Sequence, residues 1–181
     1  MSDVRRNQDL EKLKSLCAQS HGKLIILKTS GNPVSKIEIE SKYKTAVDSS
    51  YPKKTNTSTK ITIELLSKYP FSGGEPIVYL KPIIFHPHVY SSGRICLGKK
   101  WMPTETLDLF VKRVLSIITY DPSVIDFESP ANGEALNWYN KNPNLFPTDE
   151  LNFSPAPQKP TMSWNNLKWV QYGLERTRTW F

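Results

Sequence analysis

Cysteine is scarce in this chain, histidine nearly so, and no apolar run approaches the length that spans a bilayer. The two cysteines, Cys17 and Cys96, cannot build a disulfide framework, which points to a reducing compartment, the cytoplasm by expectation. The polar start, MSDVRRNQDLEKLK, reads as neither a signal peptide nor a membrane anchor. His86, His88 and Cys96 would need a carboxylate to close a four-ligand metal site, so neither metal nor cofactor is expected. The net charge of +7 is scattered, without the basic stripe and stacking aromatics that nucleic acid calls for. No nucleic-acid partner is expected; a protein with an acidic docking face suits such charge better. Internal repeats are also missing.

What remains is a 181-residue chain, 38% hydrophobic, long enough for one domain with a real core. Residues 4–19 read as a helix, with Leu10, Leu13, Leu16 and Cys17 on one face and Gly22 as a stop signal. Four strand-like stretches follow: Leu24 to Leu27, Ile37 with Ile39, Ile61 to Leu65, and Ile77 to Leu80. With no helix between them, they predict an antiparallel meander. Residues 81–103 lack periodicity, and an irregular loop of that length inside a domain is usually functional. Helical spacing returns with Leu107, Phe110, Val111, Val114, Leu115 and Ile118, capped by Thr104 or Thr106. A further helix is predicted to start at Ser129-Pro130 and to turn Ala131, Ala135, Leu136 and Tyr139 inward. Residues 1–150 form the expected domain, and 151–181 a Pro-rich linker and Trp-rich tail whose tryptophans either pack on the domain or bind a partner.

The irregular loop carries the chemistry. In order, the chain reads Tyr69-Pro70-Phe71, His86-Pro87-His88-Val89, Gly93, Ile95-Cys96-Leu97, Trp101 and Pro103, with Cys96 ten residues after His86. Asp121-Pro122 and Ser129-Pro130-Ala131-Asn132 follow. Over roughly residues 4–150 this pattern resembles the ubiquitin-conjugating enzyme family. The resemblance implies an α+β ubiquitin-conjugating fold: an N-terminal helix, a four-stranded antiparallel meander, a long active-site loop, then C-terminal helices. It implies that Cys96 accepts ubiquitin or a ubiquitin-like protein from an activating enzyme as a thioester and passes it to an amine on a target protein. The alternative is a non-catalytic scaffold or binding module on the same fold. Arg94, Lys99 and Lys100 flank Cys96 and would favour its thiolate, whereas Cys17 sits on an apolar helical stripe as a small hydrophobe.

Several departures from the family pattern bear on the transfer step. His88 stands where the family has asparagine. Its imidazole either donates to the oxyanion, with an activity that falls as it loses a proton, or braces the loop. His86 reads as a structural turn residue. The stretch from Cys96 to Trp101 is short, and the Asp121–Pro130 loop is long. That loop supplies Asp126 and Glu128 as candidates for orienting the acceptor amine. The displaced proline in Ser72-Gly73-Gly74-Glu75-Pro76 puts recruitment of a ligase in question. Arg5, Arg6, Lys12 and Lys14 on the first helix are candidate contacts for the activating enzyme. Taken together, the departures look closer to divergent bacterial relatives, some of them in antiphage operons, than to ordinary eukaryotic members.

Overall fold

The spacing of Leu13 and Leu16 commits the first helix to one buried face, and helix α1 runs Ser2–Gln19 with both leucines at 2% exposure or less. The computed structural model describes residues 2–97, 101–126, 128–145, 147 and 149–154. After α1 come strands β1 (Leu24–Ser30), β2 (Lys36–Ser41), β3 (Thr45–Ala46), β4 (Thr55–Asn56), β5 (Thr59–Glu64) and β6 (Ile77–Lys81). Helix α2 spans Leu107–Ile118, a 3-10 turn covers Pro122–Val124, and α3 spans Gly133–Asn140.

Strands β1, β2, β5 and β6 form the main sheet in that order, every pair antiparallel. This is the predicted meander, interrupted by the two-residue β3–β4 hairpin that no periodicity announced. Alternation sends Ile37, Ile39, Ile61, Ile63, Val78 and Leu80 to the inner face, all buried. There they meet α1 and the apolar stripe of α2, in which Leu107, Phe110, Val111, Val114, Leu115 and Ile118 are all buried. Each such side chain contributes about 1.5–3 kcal/mol by leaving water. The outer face carries Lys36–Glu64 and Lys60–Glu38 pairs, exposed and worth at most about 1 kcal/mol each. Strand β1 runs past the predicted stretch to Ser30, with a register irregularity at Leu27, which is half exposed.

A second, aromatic cluster lies away from the sheet. Tyr120 stacks on Tyr51 (5.2 Å between ring centres) and on Tyr139 (5.8 Å), with Phe85 and Trp138 against them. The Tyr120 hydroxyl donates to the Phe85 carbonyl (2.7 Å), and the Phe85 amide donates to the Ala46 carbonyl (3.1 Å). These bonds tie the start of the irregular loop to the β3–β4 hairpin.

The predicted start of the last helix needs correction. The Ala131 and Asn132 amides both donate to the Pro87 carbonyl (2.8 and 3.0 Å), so the segment after Ser129-Pro130 is committed to the loop. Asn132 is the cap instead, its side-chain oxygen accepting from the Ala135 amide (3.1 Å). Ala135 and Tyr139 are buried as expected, while Ala131 and Leu136 are only partly so. Among the described residues, no helix is long and apolar enough to cross a membrane. The Trp-rich tail falls outside the described residues.

Candidate active site

The irregular loop owes its order to β6. Leu80 donates to the Gly93 carbonyl (2.9 Å) and Ile95 to the Val78 carbonyl (3.0 Å), so residues 93–95 extend the edge of the sheet. A tight turn makes this possible: the Tyr90 amide donates to Arg94 and the Gly93 amide to Tyr90. Gly93 has φ +81°, and a Cβ there would lie 2.7 Å from the Leu80 carbonyl oxygen. Cys96 follows directly and is half-buried.

His88 grips the Cys96 backbone from both sides. The Cys96 amide donates to the His88 carbonyl (2.7 Å), and His88 Nδ1 bonds the Cys96 carbonyl (2.8 Å). A carbonyl only accepts, so Nδ1 carries the proton. Nε2 then accepts from the Asp126 amide (2.8 Å), and the ring is fully buried. Of the two expectations for His88, donation to an oxyanion finds no free ring nitrogen here. Both ring nitrogens are already engaged within the fold. The geometry fits the bracing alternative.

Beneath His88, the buried His86 accepts the His88 amide at Nδ1 (3.0 Å) and packs at a tilt against Tyr120 (4.3 Å between ring centres). Burial, with His88 beside it, holds the His86 pKa well below 6.5, so the ring is neutral. Its Nε2 is buried without a hydrogen-bond partner among the described residues. Cys17 differs from Cys96 as predicted: it packs against the main core, and burial pushes its thiol up to about 11.

Cys96 opens into a cavity of about 440 Å³. Trp101 closes one wall, its indole N–H donating to the Pro70 carbonyl (2.7 Å). Arg113 holds the chain after the thiol, donating to the Leu97 carbonyl (3.2 Å) while paired in a fork with Glu105 (2.7 and 3.0 Å). Arg94 lines the same cavity and is exposed. Lys99 and Lys100, the other cations expected near the thiol, lie outside the described residues.

Neither predicted acid lines this cavity. Asp126 turns its carboxylate back on its own loop, accepting from the Glu128 amide (2.9 Å), and Glu128 is exposed. Among the described residues, the acid that does share the cavity is Glu75, which the sequence marked only as part of an altered proline stretch.

On α1 the candidates divide. Lys12 is exposed, and Lys14 is exposed and paired with Glu11. Arg5 is partly buried and donates to Asp9 and to the Glu105 carbonyl. Arg6 is a correction: it is 4% exposed, donating to the carbonyls of Val34 (2.7 Å) and Leu66 (2.5 Å) with its guanidinium over the Tyr69 ring. It pins α1 to the sheet's loops and offers nothing to a partner. Asp9, buried beside it, accepts from the Tyr69 hydroxyl, Arg5 and the Leu107 amide at the start of α2. Among the described residues, no cluster of three or more His, Cys, Asp or Glu forms a metal site.

Comparison with known proteins agrees with this fold. The family profile described as ubiquitin-conjugating enzyme matches residues 26–151. Ubiquitin-conjugating enzyme E2 2 of Candida albicans is 38% identical over 66 residues, 35% of this chain and 35% of that protein. Ubiquitin-conjugating enzyme E2-34 kDa of Saccharomyces cerevisiae is 30% identical over 93 residues, 43% of this chain and 30% of that protein. The chain thus spans about a third of the length of these two curated relatives. Both come from yeasts and lend no support to a bacterial source. Among solved structures, a putative ubiquitin-conjugating enzyme from Trypanosoma cruzi superposes with a TM-score of 0.55 at 22% identity, covering 79% of this chain and 92% of that one. At that identity the likeness speaks for the fold.

Proposed function

The chain belongs to the ubiquitin-conjugating enzyme family, and from that premise we propose that Cys96 is a thioester carrier for ubiquitin or a ubiquitin-like protein. In the loading step the Cys96 thiolate attacks the thioester carbonyl of a modifier held by an activating enzyme. A new C–S bond forms, the old one breaks, and the activating enzyme's sulfur leaves as thiolate. In the second step an amine on a target protein displaces Cys96 and takes the acyl group. The carrying observation is the half-buried thiol at the mouth of a cavity, its peptide fixed on both sides by His88. Such fixation supplies the orientation that acyl transfer requires. Lys12 and Lys14, exposed on α1, are assigned to docking of the activating enzyme. A ligase is not required by the chemistry of either step.

The test is to incubate the chain with an activating enzyme, its modifier and ATP. An adduct that dithiothreitol removes, and that Cys96→Ala lacks, is the expected result. A Cys96→Lys variant should hold the modifier in a form that thiols do not release. No adduct with any modifier and activating-enzyme pair would move the protein to the scaffold reading.

A further inference from the structure

Discharge of a thioester to lysine needs a second site beside the thiol, one that collects a cationic side chain and helps it lose a proton. The expected acids on the Asp121–Pro130 loop are not placed for this: neither Asp126 nor Glu128 lines the cavity into which Cys96 opens. Glu75 does line it, and the way it is held is specific. Gly74 approaches the backbone so closely that a Cβ would lie 2.3 Å from the Lys68 carbonyl carbon and 2.4 Å from the Tyr69 nitrogen. Its amide donates to the Phe71 carbonyl (2.9 Å), so the turn is clamped onto the Tyr69-Pro70-Phe71 segment. The Glu75 carboxylate then accepts from the Gly73 amide (3.3 Å), and the residue, partly buried, lines the cavity.

The rest of the cavity has the character a lysine side chain needs. Pro76, Ile77 and Trp101 offer apolar wall to a four-carbon stem, leaving the charged head free to find a partner. At about 440 Å³ it falls within the roughly 300–1,000 Å³ usual for ligand clefts. Among the described residues two cations share the lining, but Arg113 is neutralised by Glu105. Arg94 is exposed at the cavity and, as a like charge, favours an amine without its proton.

We propose that this cavity is the acceptor subsite, and that Glu75 anchors the incoming lysine amine there, a positioning role that rests on the thioester-carrier reading above. The ammonium pairs with Glu75 and yields its proton there on the way to solvent. The neutral nitrogen attacks the thioester carbonyl, the C–N bond forms and the C–S bond breaks. The second amine proton is lost as Cys96 leaves as thiolate and is reprotonated. The balance is one thioester and one amine in, one amide and one thiol out.

The experiment is a single-turnover discharge. Wild type and Glu75→Gln are loaded with modifier, ATP is removed, and Nα-acetyl-lysine or hydroxylamine is added as the nucleophile. Loading and unfolding midpoint should match between the two. Discharge to Nα-acetyl-lysine should fall roughly tenfold to a hundredfold in Glu75→Gln, through a higher apparent KM for the amine. Hydroxylamine, uncharged and needing no anchor, should discharge both at one rate, and Glu75→Asp should recover part of the loss. Glu75→Gln discharging Nα-acetyl-lysine at the wild-type rate overturns the inference while leaving the carrier function standing. Failure of the wild type to form any thioester overturns both.

Discussion

A single imidazole at position 88 meets two demands at once, a donor toward the Cys96 carbonyl and an acceptor toward the Asp126 amide. An asparagine amide also carries one donor group and one acceptor, which is why the two residue types are chemically interchangeable at such a place. His88→Ala removes both bonds and frees the peptide that carries the thiol. The initial rate of adduct formation should fall about tenfold to a hundredfold, as misplacement of a reacting group does. His88→Asn should retain most of the rate, and an equal loss in both variants would show that the imidazole acts otherwise than as a brace. The sequence made Cys96 legible because its identity rests on spacing along one loop. The choice between His88's two readings was not legible, because which nitrogen bonds which backbone group depends on Asp126 folding back from beyond α2.

Among the elements, α2 and the sheet were readable because their burial follows strict periods, 3.6 residues for the one and two for the other. The β3–β4 hairpin escaped because two residues per strand are too few for a period to show. The start of α3 was misplaced for a different reason. Ser129-Pro130 has the local chemistry of a cap, but a tertiary contact with Pro87 takes the amides that a helix would use next. Arg6 shows the same limit in a helix: its position on the surface of α1 cannot reveal three backbone carbonyls folded within its reach. Its neighbour Asp9 joins α1, Tyr69 and the start of α2, and burial with these bonds to the carboxylate raises the Tyr69 hydroxyl's pKa. Asp9→Ala orphans a buried hydroxyl, at a cost of about 1–3 kcal/mol in urea unfolding. Adding Tyr69→Phe to Asp9→Ala should cause no further loss, since the stranded group goes with it. A large additional loss would mean that the hydroxyl has another partner.

At the scale of the whole molecule, two cores share the work. The sheet with α1 and α2 makes the larger, and the aromatic cluster around Tyr120 makes the footing of the active-site loop. That Glu75 lines a cavity with Cys96 was not visible in the sequence, because the passage through β6 and back along residues 93–95 is what brings that cavity to Cys96. The buried neutral His86 joins this footing to global stability. Its folded pKa lies below the unfolded value of about 6.5, so below that pH the unfolded chain binds a proton that the folded chain refuses. The stability this group contributes is complete above about pH 6.5 and is lost as pH falls, at no more than about 1.4 kcal/mol per pH unit. Unfolding midpoints measured from pH 7.5 down to 5 should decline, and His86→Gln should flatten that decline. An unchanged slope would exclude His86 as its source.

Because His88 bonds the Cys96 carbonyl with one nitrogen and the Asp126 amide with the other, the Cys96 peptide and the Asp126 backbone in the Asp121–Pro130 loop are mechanically linked. A protein that grips this loop from outside, far from the thiol in sequence, thereby sets the pose of the thiol itself. Control of reactivity can therefore be exerted by leverage on a surface loop, with the sulfur never touched.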